Sequence, residues 1–271
     1  MDNFSVLMSV YYKEDSEYLD TALNSIFQQT VVPSEVVIVK DGKLTNELDA
    51  VIDLYERRFS KQIKILSLPQ NVGLGQALNI GLKACTNELV ARMDSDDINI
   101  LDRFERQLMI FEKDSKIDVV GGWVSEFIDV PQNIVSVRKL PEYQKDILKY
   151  SKKRSPLNHV SVMFKKSTVL KAGSYQHFPL MEDYYLWIRM LMNGAIFYNI
   201  QEPLVLVRNS NGMYNRRGGL SYAKIESRFF RYLYKIHYIG LSLLIVNVCI
   251  RFVVRVIPNQ LRKQIYLKAL R

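Results

Sequence analysis

The sequence predicts an α/β fold in which a mixed, mainly parallel sheet is flanked by helices. Apolar runs of strand length alternate along the chain with segments whose apolar residues recur at helical spacing. This alternation is the pattern of right-handed βαβ units. The apolar runs are continuous, which is typical of strands covered on both faces. A hydrophobic fraction of 48% over 271 residues fits a folded globular chain with such a core.

The first hundred residues follow this alternation closely. Apolar runs predict four strands, at residues 5–11, 36–39, 63–66 and 89–93. One intervening helix is expected from Thr45, a good N-cap residue, to about Phe59. Gly73 and Gly75 follow the third strand, but Leu78 stands where a dinucleotide-binding fingerprint has its third glycine. We therefore interpret them as a turn into a helix that packs closely on the sheet through Ala77, Gly81 and Ala84.

The rest of the chain predicts a second half and a tail. One helix is expected from about Phe104 to about Lys113 and another over 181–191. Strands are expected at 119–127, 134–140 and 204–208, and a loop that leads into a strand is expected over 158–164. Gly121-Gly122 is expected to interrupt the first of these strands. We expect residues 1–215 to form the main domain, with halves 1–100 and 101–215, and residues 216–271 to form a helical tail.

An acidic cluster follows the fourth predicted strand. The apolar run ends in Asp94-Ser95-Asp96-Asp97, and like charges this close repel unless a cation neutralises them. An Asp-x-Asp offers hard oxygen ligands that suit Mg²⁺ or Mn²⁺, and magnesium is usually shared with substrate phosphates. The alternative is a solvated acidic loop. Asp41 ends another parallel strand at the same sheet edge, where ligands bind in open α/β sheets.

The tail carries most of the positive charge. Residues 216–271 contain twelve Lys and Arg and one acid, so their net charge is +11 against −2 for residues 1–215. The uncharged run 239–250 is too short to span a bilayer. Asn247, Arg251 and Arg255 share one helical face, opposite Leu243, Ile250 and Val254. This pattern predicts a cationic helix at an anionic membrane interface, or else one packed on the domain or on a second copy.

In order and spacing, these motifs resemble those of the inverting, nucleotide-sugar-dependent glycosyltransferases of family 2, which have the GT-A fold. The resemblance covers residues 4 to about 215 and rests on the opening strand, Lys40-Asp41-Gly42, the 71–81 segment, the 94–97 cluster, His159 and Glu182-Asp183. One departure is that Lys40 and Lys43 stand in a turn that usually reads Asp-Asp-Gly-Ser.

The resemblance implies a role for each motif. The donor nucleotide would be bound by Ser9, Tyr11, Asp41, Arg92 and Asp94. Asp96 would bind Mn²⁺ or Mg²⁺ with help from Asp94, and Asp97 has no assigned role. For Arg92, a salt bridge to the acidic cluster is an equal alternative.

The acceptor side follows from the same resemblance. Asp183 would be the base that takes the acceptor proton, so that a single displacement inverts the anomeric configuration. His159 and Glu182 would lie beside the acceptor. The alternatives are a structural histidine and first-turn acids that complement a helix dipole. Trp187 is expected in the core, and the absence of a Gln/Arg-x-x-Arg-Trp motif favours transfer of a single sugar.

The expected enzyme transfers galactose or glucose from a UDP-sugar to an undecaprenyl-diphosphate-linked saccharide in O-antigen or exopolysaccharide synthesis. Cys85 and Cys249 lie far apart in apolar surroundings, and residues 1–4 show no secretory signal. We therefore expect a cytoplasmic protein, peripheral on the inner face of the cell membrane. The alternatives are a metal-dependent sugar nucleotidyltransferase, although no glycine-rich triphosphate loop is present, and a nucleic-acid-binding protein, which the near-neutral body disfavours.

Overall fold

The structure is a computed structural model that describes residues 3–209 and 219–256. The described residues form nine strands: β1 (Phe4–Val10), β2 (Glu35–Lys40), β3 (Ile63–Ser67), β4 (Leu89–Met93), β5 (Ile98–Asn99), β6 (Val119–Phe127), β7 (Ile134–Arg138), β8 (Met163–Lys165) and β9 (Phe197–Arg208). Their α-helices are α1 (Ser16–Phe27), α2 (Asn46–Arg58), α3 (Leu74–Ala84), α4 (Arg103–Lys113), α5 (Gln144–Ser151), α6 (Lys166–Lys171), α7 (Glu182–Met192), α8 (Leu220–Lys235) and α9 (Leu241–Val256).

All nine strands join one mixed sheet, and its first half is parallel as the sequence predicts. The order is β3-β2-β1-β4-β8-β6-β9-β5, with β7 paired to β6. Side chains of β1 alternate between two hydrophobic clusters: Val6 and Met8 belong to one and Leu7 to the other. Because helices cover both faces, the strand needs apolar residues at successive positions.

The second half is mixed. Strand β8 runs antiparallel to β4 and to β6, whereas β6 and β9 pair in parallel. Contrary to prediction, Gly121 and Gly122 do not interrupt β6. A Cβ on Gly121 would lie 2.4 Å from Oδ1 of Asn199, and one on Gly122 would lie 2.4 Å from Cδ1 of Leu204. The glycines therefore serve close packing against β9, which begins at Phe197, earlier than predicted.

Helices α8 and α9 pack against the domain. Phe229, Phe230 and Leu233 of α8 share a hydrophobic cluster with Tyr184 and Ile188 of α7. On the part of the chain that the structure describes, no helix is both long and apolar enough to cross a bilayer.

The polar residues of α9 follow the alternative in which this helix packs on the domain. Asn247 is buried and donates to the carbonyl oxygen of Lys152 at 3.3 Å. Arg251 donates to the buried carboxylate of Glu226 at 2.5 Å. The polar face therefore faces the protein, and Ile250 is exposed to solvent. The Arg255 and Val254 side chains lie outside the described residues.

Gly81 provides a test of the close contact between α3 and the sheet. A Cβ on Gly81 would lie 2.4 Å from Cδ1 of Leu7 and 2.6 Å from Cγ2 of Val39, both in buried strands. We expect Gly81→Ala to lower the free energy of unfolding by about 1 kcal/mol, because overpacking exceeds the gain in helix propensity. Urea unfolding measures the change, with Ile80→Ala on the exposed side of α3 as the control. An unchanged or higher stability of Gly81→Ala would contradict the prediction.

Candidate active site

Three carboxylates converge where β4 ends. One oxygen from each of Asp94, Asp96 and Asp97 lies within 4.8 Å of the others. Asp97 is buried, whereas Asp94 and Asp96 are partly exposed. The set of ligands is the hard, all-oxygen kind that Mg²⁺ and Mn²⁺ prefer.

The electrostatics of the cluster also fit a cation. Burial, together with the charges of Asp94 and Glu14, raises the pKa of Asp96 to about 7. Burial, followed by the charges of Asp94 and Asp96, raises the pKa of Asp97 well above its ordinary value. Neighbouring carboxylates therefore resist ionising together, and a divalent cation would remove that penalty. The sequence left Asp97 without a role, and the structure places it within the acidic set.

Arg92 of β4 comes just before the cluster in sequence and contacts it. Its side chain is 1% exposed, and its Nη2 donates to the carboxylate of Asp94. The salt bridge that the sequence offered as an alternative is therefore present. However, Nε and Nη1 of Arg92 are buried without a hydrogen-bond partner among the described residues. Buried donors of this kind are costly unless a ligand or water completes them.

A second buried arginine supports the first. Arg103 of α4 is 0% exposed and donates to the carbonyl oxygen of Arg92 at 2.8 Å. It also donates to Oδ1 of Asn99 at 2.6 Å and to Oε1 of Gln107 at 3.1 Å. These contacts fix the backbone of β4 just before the acidic cluster begins.

Asp41 organises the loop that enters α3. The buried carboxylate accepts hydrogen bonds from the backbone N–H groups of Val72 at 2.7 Å and Gly73 at 3.1 Å. It also accepts from Nδ2 of Asn71 at 3.1 Å. Gly42 has φ of +87°, and a Cβ there would lie 2.7 Å from the backbone nitrogen of Asn71. The Asp-Gly pair is thus required for this turn, apart from any contact with a nucleotide.

Ser9 and Tyr11 reach the same edge from β1. Ser9 is half-buried and pairs with Val39 of β2, two residues before Asp41. Tyr11 follows the strand and is 39% exposed. Parallel strands end together, so these residues and the acidic cluster border one surface.

Glu182 and Asp183 form the first turn of α7, and both are partly exposed. A Cβ on Gly75 would lie 3.2 Å from Cγ of Glu182, so the start of α7 meets the start of α3. Burial raises the pKa of Glu182, and the charge of Asp183 adds to the shift. Burial raises the pKa of the Tyr175 hydroxyl, the positive charge of Arg92 opposes that shift, and the charges of Asp183 and Asp94 add to it. Asp183 and Asp94 therefore both influence the same buried tyrosine.

His159 is held by its neighbours. Its Nε2 lies 2.8 Å from the hydroxyl of Tyr175, and its ring lies edge-on to Trp187 at a centroid distance of 5.9 Å. Burial, together with the positive charge of Arg92, lowers the pKa of His159 well below its ordinary value. The imidazole is therefore neutral near pH 7. Trp187 is 0% exposed, which confirms its predicted place in the core.

Two residues at the acidic cluster were missed from the sequence. The backbone N–H of Arg208 donates to Oδ1 of Asp97 at 3.0 Å, and its Nε donates to the carbonyl oxygen of Asp96 at 3.3 Å. Glu14 accepts from the hydroxyl of Ser95 at 2.6 Å. The available signal was the position of Arg208, a cation that ends a strand immediately before a polar loop.

Metal affinity should depend on pH through Asp96. Its carboxyl is mostly protonated at pH 6 and mostly ionised at pH 8, because its pKa is raised to about 7. Binding must displace that proton, so we expect Mn²⁺ affinity to be about tenfold weaker at pH 6 than at pH 8. Without metal, the folded state holds more protons than the unfolded one, so its stability falls as pH rises toward 7.

Isothermal titration with Mn²⁺ at the two pH values measures the affinity. Asp96→Asn should weaken binding and reduce its pH dependence, whereas Asp53→Asn, on the exposed side of α2, should change neither. Binding of Mn²⁺ to Asp96→Asn with unchanged affinity would rule out this site.

Comparison with known proteins gives the family. The model of glycosyl transferase family 2 matches residues 5–174. A UDP-Gal:alpha-D-GlcNAc-diphosphoundecaprenol beta-1,3-galactosyltransferase of Escherichia coli is 43% identical over 268 residues, covering 99% of this chain and 96% of that protein. The amylovoran biosynthesis glycosyltransferase AmsE of Erwinia amylovora is 37% identical over 265 residues, covering 98% of each chain.

Solved structures share the fold. Residues 1–349 of S. aureus TarS, solved with UDP-GlcNAc, match with a TM-score of 0.64 at 18% identity, covering 84% of this chain and 66% of that one. The mannosyltransferase PcManGT from Pyrobaculum calidifontis, solved with GDP-Man and Mn²⁺, matches with a TM-score of 0.62 at 15% identity, covering 92% and 69%. With the family match over residues 5–174, this chain belongs to glycosyltransferase family 2 and is a glycosyltransferase with the GT-A fold.

Proposed function

We propose that this enzyme transfers one hexose, with galactose as the first candidate, from a UDP-sugar to a saccharide on undecaprenyl diphosphate. The observation that carries the proposal is the carboxylate cluster at the end of β4, and the carboxylate of Asp183 in the first turn of α7 supports it. Sugar transfer needs a group that stabilises the diphosphate leaving group and a base that takes the proton of the acceptor hydroxyl. These two groups act on opposite sides of the anomeric carbon. The 43% identity over nearly the full length to a galactosyltransferase named for such substrates supports the choice of donor and acceptor.

The donor would occupy the surface bordered by β1, β2 and β4. Ser9 and Tyr11 would flank the uracil, and Asp41 would hydrogen-bond it while retaining the loop at 71–73. Arg92 would direct its two unpartnered nitrogens toward the nucleotide, and Asp94 would contact the ribose or the metal. Residues 1–100 would thus bind the nucleotide, and residues 101–215 would bind the acceptor.

The acidic cluster would hold Mn²⁺ or Mg²⁺, with Asp96 as the direct ligand and Asp94 beside it. When bound, the cation stabilises negative charge on the departing diphosphate as a Lewis acid. Arg208 would keep the loop in place through its bond to Asp97. The two buried arginines, Arg92 and Arg103, would balance part of the remaining negative charge.

Asp183 would take the proton of the acceptor hydroxyl. One displacement inverts the configuration at the anomeric carbon, so an α-linked donor gives a β-glycoside. Glu182 would line the acceptor side. His159 is neutral and would act there by holding Tyr175 rather than by exchanging protons. The product would be a disaccharide unit in O-antigen or exopolysaccharide synthesis, at the inner face of the cell membrane.

Replacement of Asp183 should separate catalysis from binding. We expect Asp183→Asn to lower kcat by about 10²- to 10⁴-fold, the range for loss of a general base, with little change in UDP affinity. Release of UDP from UDP-galactose, with a synthetic N-acetylglucosaminyl diphosphate lipid as acceptor, measures the rate. UDP-glucose and UDP-N-acetylglucosamine tested in parallel give the donor preference.

Glu47→Gln provides the matched control. Glu47 is also a first-turn acid, on the exposed start of α2, so it has the same relation to a helix dipole without facing the site. Its variant should keep full activity. If Asp183→Asn kept wild-type kcat, Asp183 would not be the base. If no UDP-hexose were consumed with the lipid acceptor, the proposed substrates would be wrong.

A further inference from the structure

A stripe of positive charge runs along the outer face of α8. Lys224, Arg228, Arg231 and Lys235 are all exposed and recur at positions that share one side of a helix. They lie opposite Phe229, Phe230 and Leu233, which pack into the domain. The acid of this helix, Glu226, is buried and paired with Arg251, so it does not offset the stripe.

Helix α9 presents an apolar face to solvent. Five of its large apolar side chains are between 44% and 56% exposed: Leu241, Ile245, Val246, Ile250 and Phe252. Its polar side chains Asn247 and Arg251 are turned toward the protein. Leu243, Leu244 and Val248 also pack toward the protein, so α9 has apolar residues on its inward side and on its outer side, unlike an ordinary surface helix with a polar outer face. A contiguous exposed apolar face of this kind marks an interaction site.

Exposed cations lie close to the apolar face. Helix α8, which carries the charged stripe, packs against α9, and the Arg251 guanidinium lies 4.8 Å from the Phe230 ring centroid. The exposed Lys152 and Lys153 also adjoin α9, because their carbonyl oxygens accept hydrogen bonds from Asn247 and Arg251. An apolar strip bordered by lysine and arginine matches the layering of an anionic lipid monolayer, with acyl chains inside and charged headgroups outside.

We propose that α8 and α9 form a docking surface for an anionic lipid monolayer. The outer face of α9 enters the boundary between headgroups and acyl chains, and the cations of α8 and of residues 152–153 bind the headgroups. A second copy of the chain fits this surface less well, because it would bring a further set of cations and no acid to meet them. The proposal supplies a surface for the membrane location proposed above and rests on that location, not on the identity of the sugar.

The docking surface and the active site share one hydrophobic cluster. Tyr184, the residue after Asp183, lies 4.6 Å from Phe229 of α8 between ring centroids. Its hydroxyl donates to the carbonyl oxygen of Ser151, next to the lysine pair at 152–153. The start of α7 therefore packs against α8, one of the two helices that would rest on the bilayer. A lipid-linked acceptor would then reach Asp183 from the membrane side.

Vesicle binding by the full chain tests the surface. We expect cosedimentation with vesicles of phosphatidylethanolamine and phosphatidylglycerol, weaker binding at high salt, and little binding to phosphatidylcholine alone. The double variant Ile245→Ser, Ile250→Ser should lower the partition coefficient at least about tenfold, because both exposed side chains lose their transfer to the apolar phase. The triple variant Lys224→Gln, Arg228→Gln, Arg231→Gln should remove the preference for anionic lipid.

Leu54→Ser, Met109→Ser is the matched control. Leu54 and Met109 are 53% and 54% exposed, on α2 and α4, so the change in exposed apolar surface is similar. The control should bind vesicles as the wild type does. All variants should retain transfer to an acceptor presented in detergent, which separates failure of docking from failure of the proposed chemistry.

Two results would overturn the proposal. One is equal vesicle binding by the wild type and by Ile245→Ser, Ile250→Ser. The other is a wild-type dimer that this double variant converts to a monomer while vesicle binding stays unchanged, since the apolar face would then belong to a second copy.

Discussion

Negative charge at the end of β4 is the constraint on which the site depends. Asp94, Asp96 and Asp97 come within 4.8 Å of one another at a partly buried strand end, where each carboxylate raises the cost of ionising the next. Arg92 offsets part of this charge, but its guanidinium contacts only Asp94 of the three carboxylates. The protein thus leaves part of the charge unbalanced at the opening, which is the arrangement that a cation bound together with a diphosphate completes.

The other parts of the site are positioned around this charge by backbone contacts. Asp41 uses its carboxylate to hold residues 71–73, and the start of α3 then meets Glu182 at the start of α7. Arg208 ties the end of β9 to the acidic loop. The first and second halves of the sheet are therefore connected through loops that follow β2, β4 and β9. A change in any of these loops would shift the acidic cluster or the start of α7.

The predictable features were those encoded locally. Continuous apolar runs identified β1 to β4, and parallel strands end together, so the sequence alone was enough to place Asp41 and Asp94 at one edge. Arg208 could not be placed there, because its position depends on the pairing of β5 with β9, which are far apart in sequence. Gly121-Gly122 was misjudged for a related reason: the glycines are explained by Asn199 and Leu204 across the sheet, not by their neighbours.

Helix α9 shows a different limit. Helical spacing correctly put Asn247 and Arg251 on one side of α9. The expectation that Leu243 lies opposite them is wrong, because Leu243 is one turn before Asn247 and packs toward the protein. Periodicity alone also does not say which side faces the protein. Burial of Glu226 on α8 decides the question, because a buried carboxylate needs a cation and Arg251 provides it. Turning that cation inward leaves the apolar side of α9 in water. The ion pair that fastens α9 to the domain is thus also the reason that a hydrophobic surface, bordered by lysine and arginine, is available beside the helix that carries Asp183.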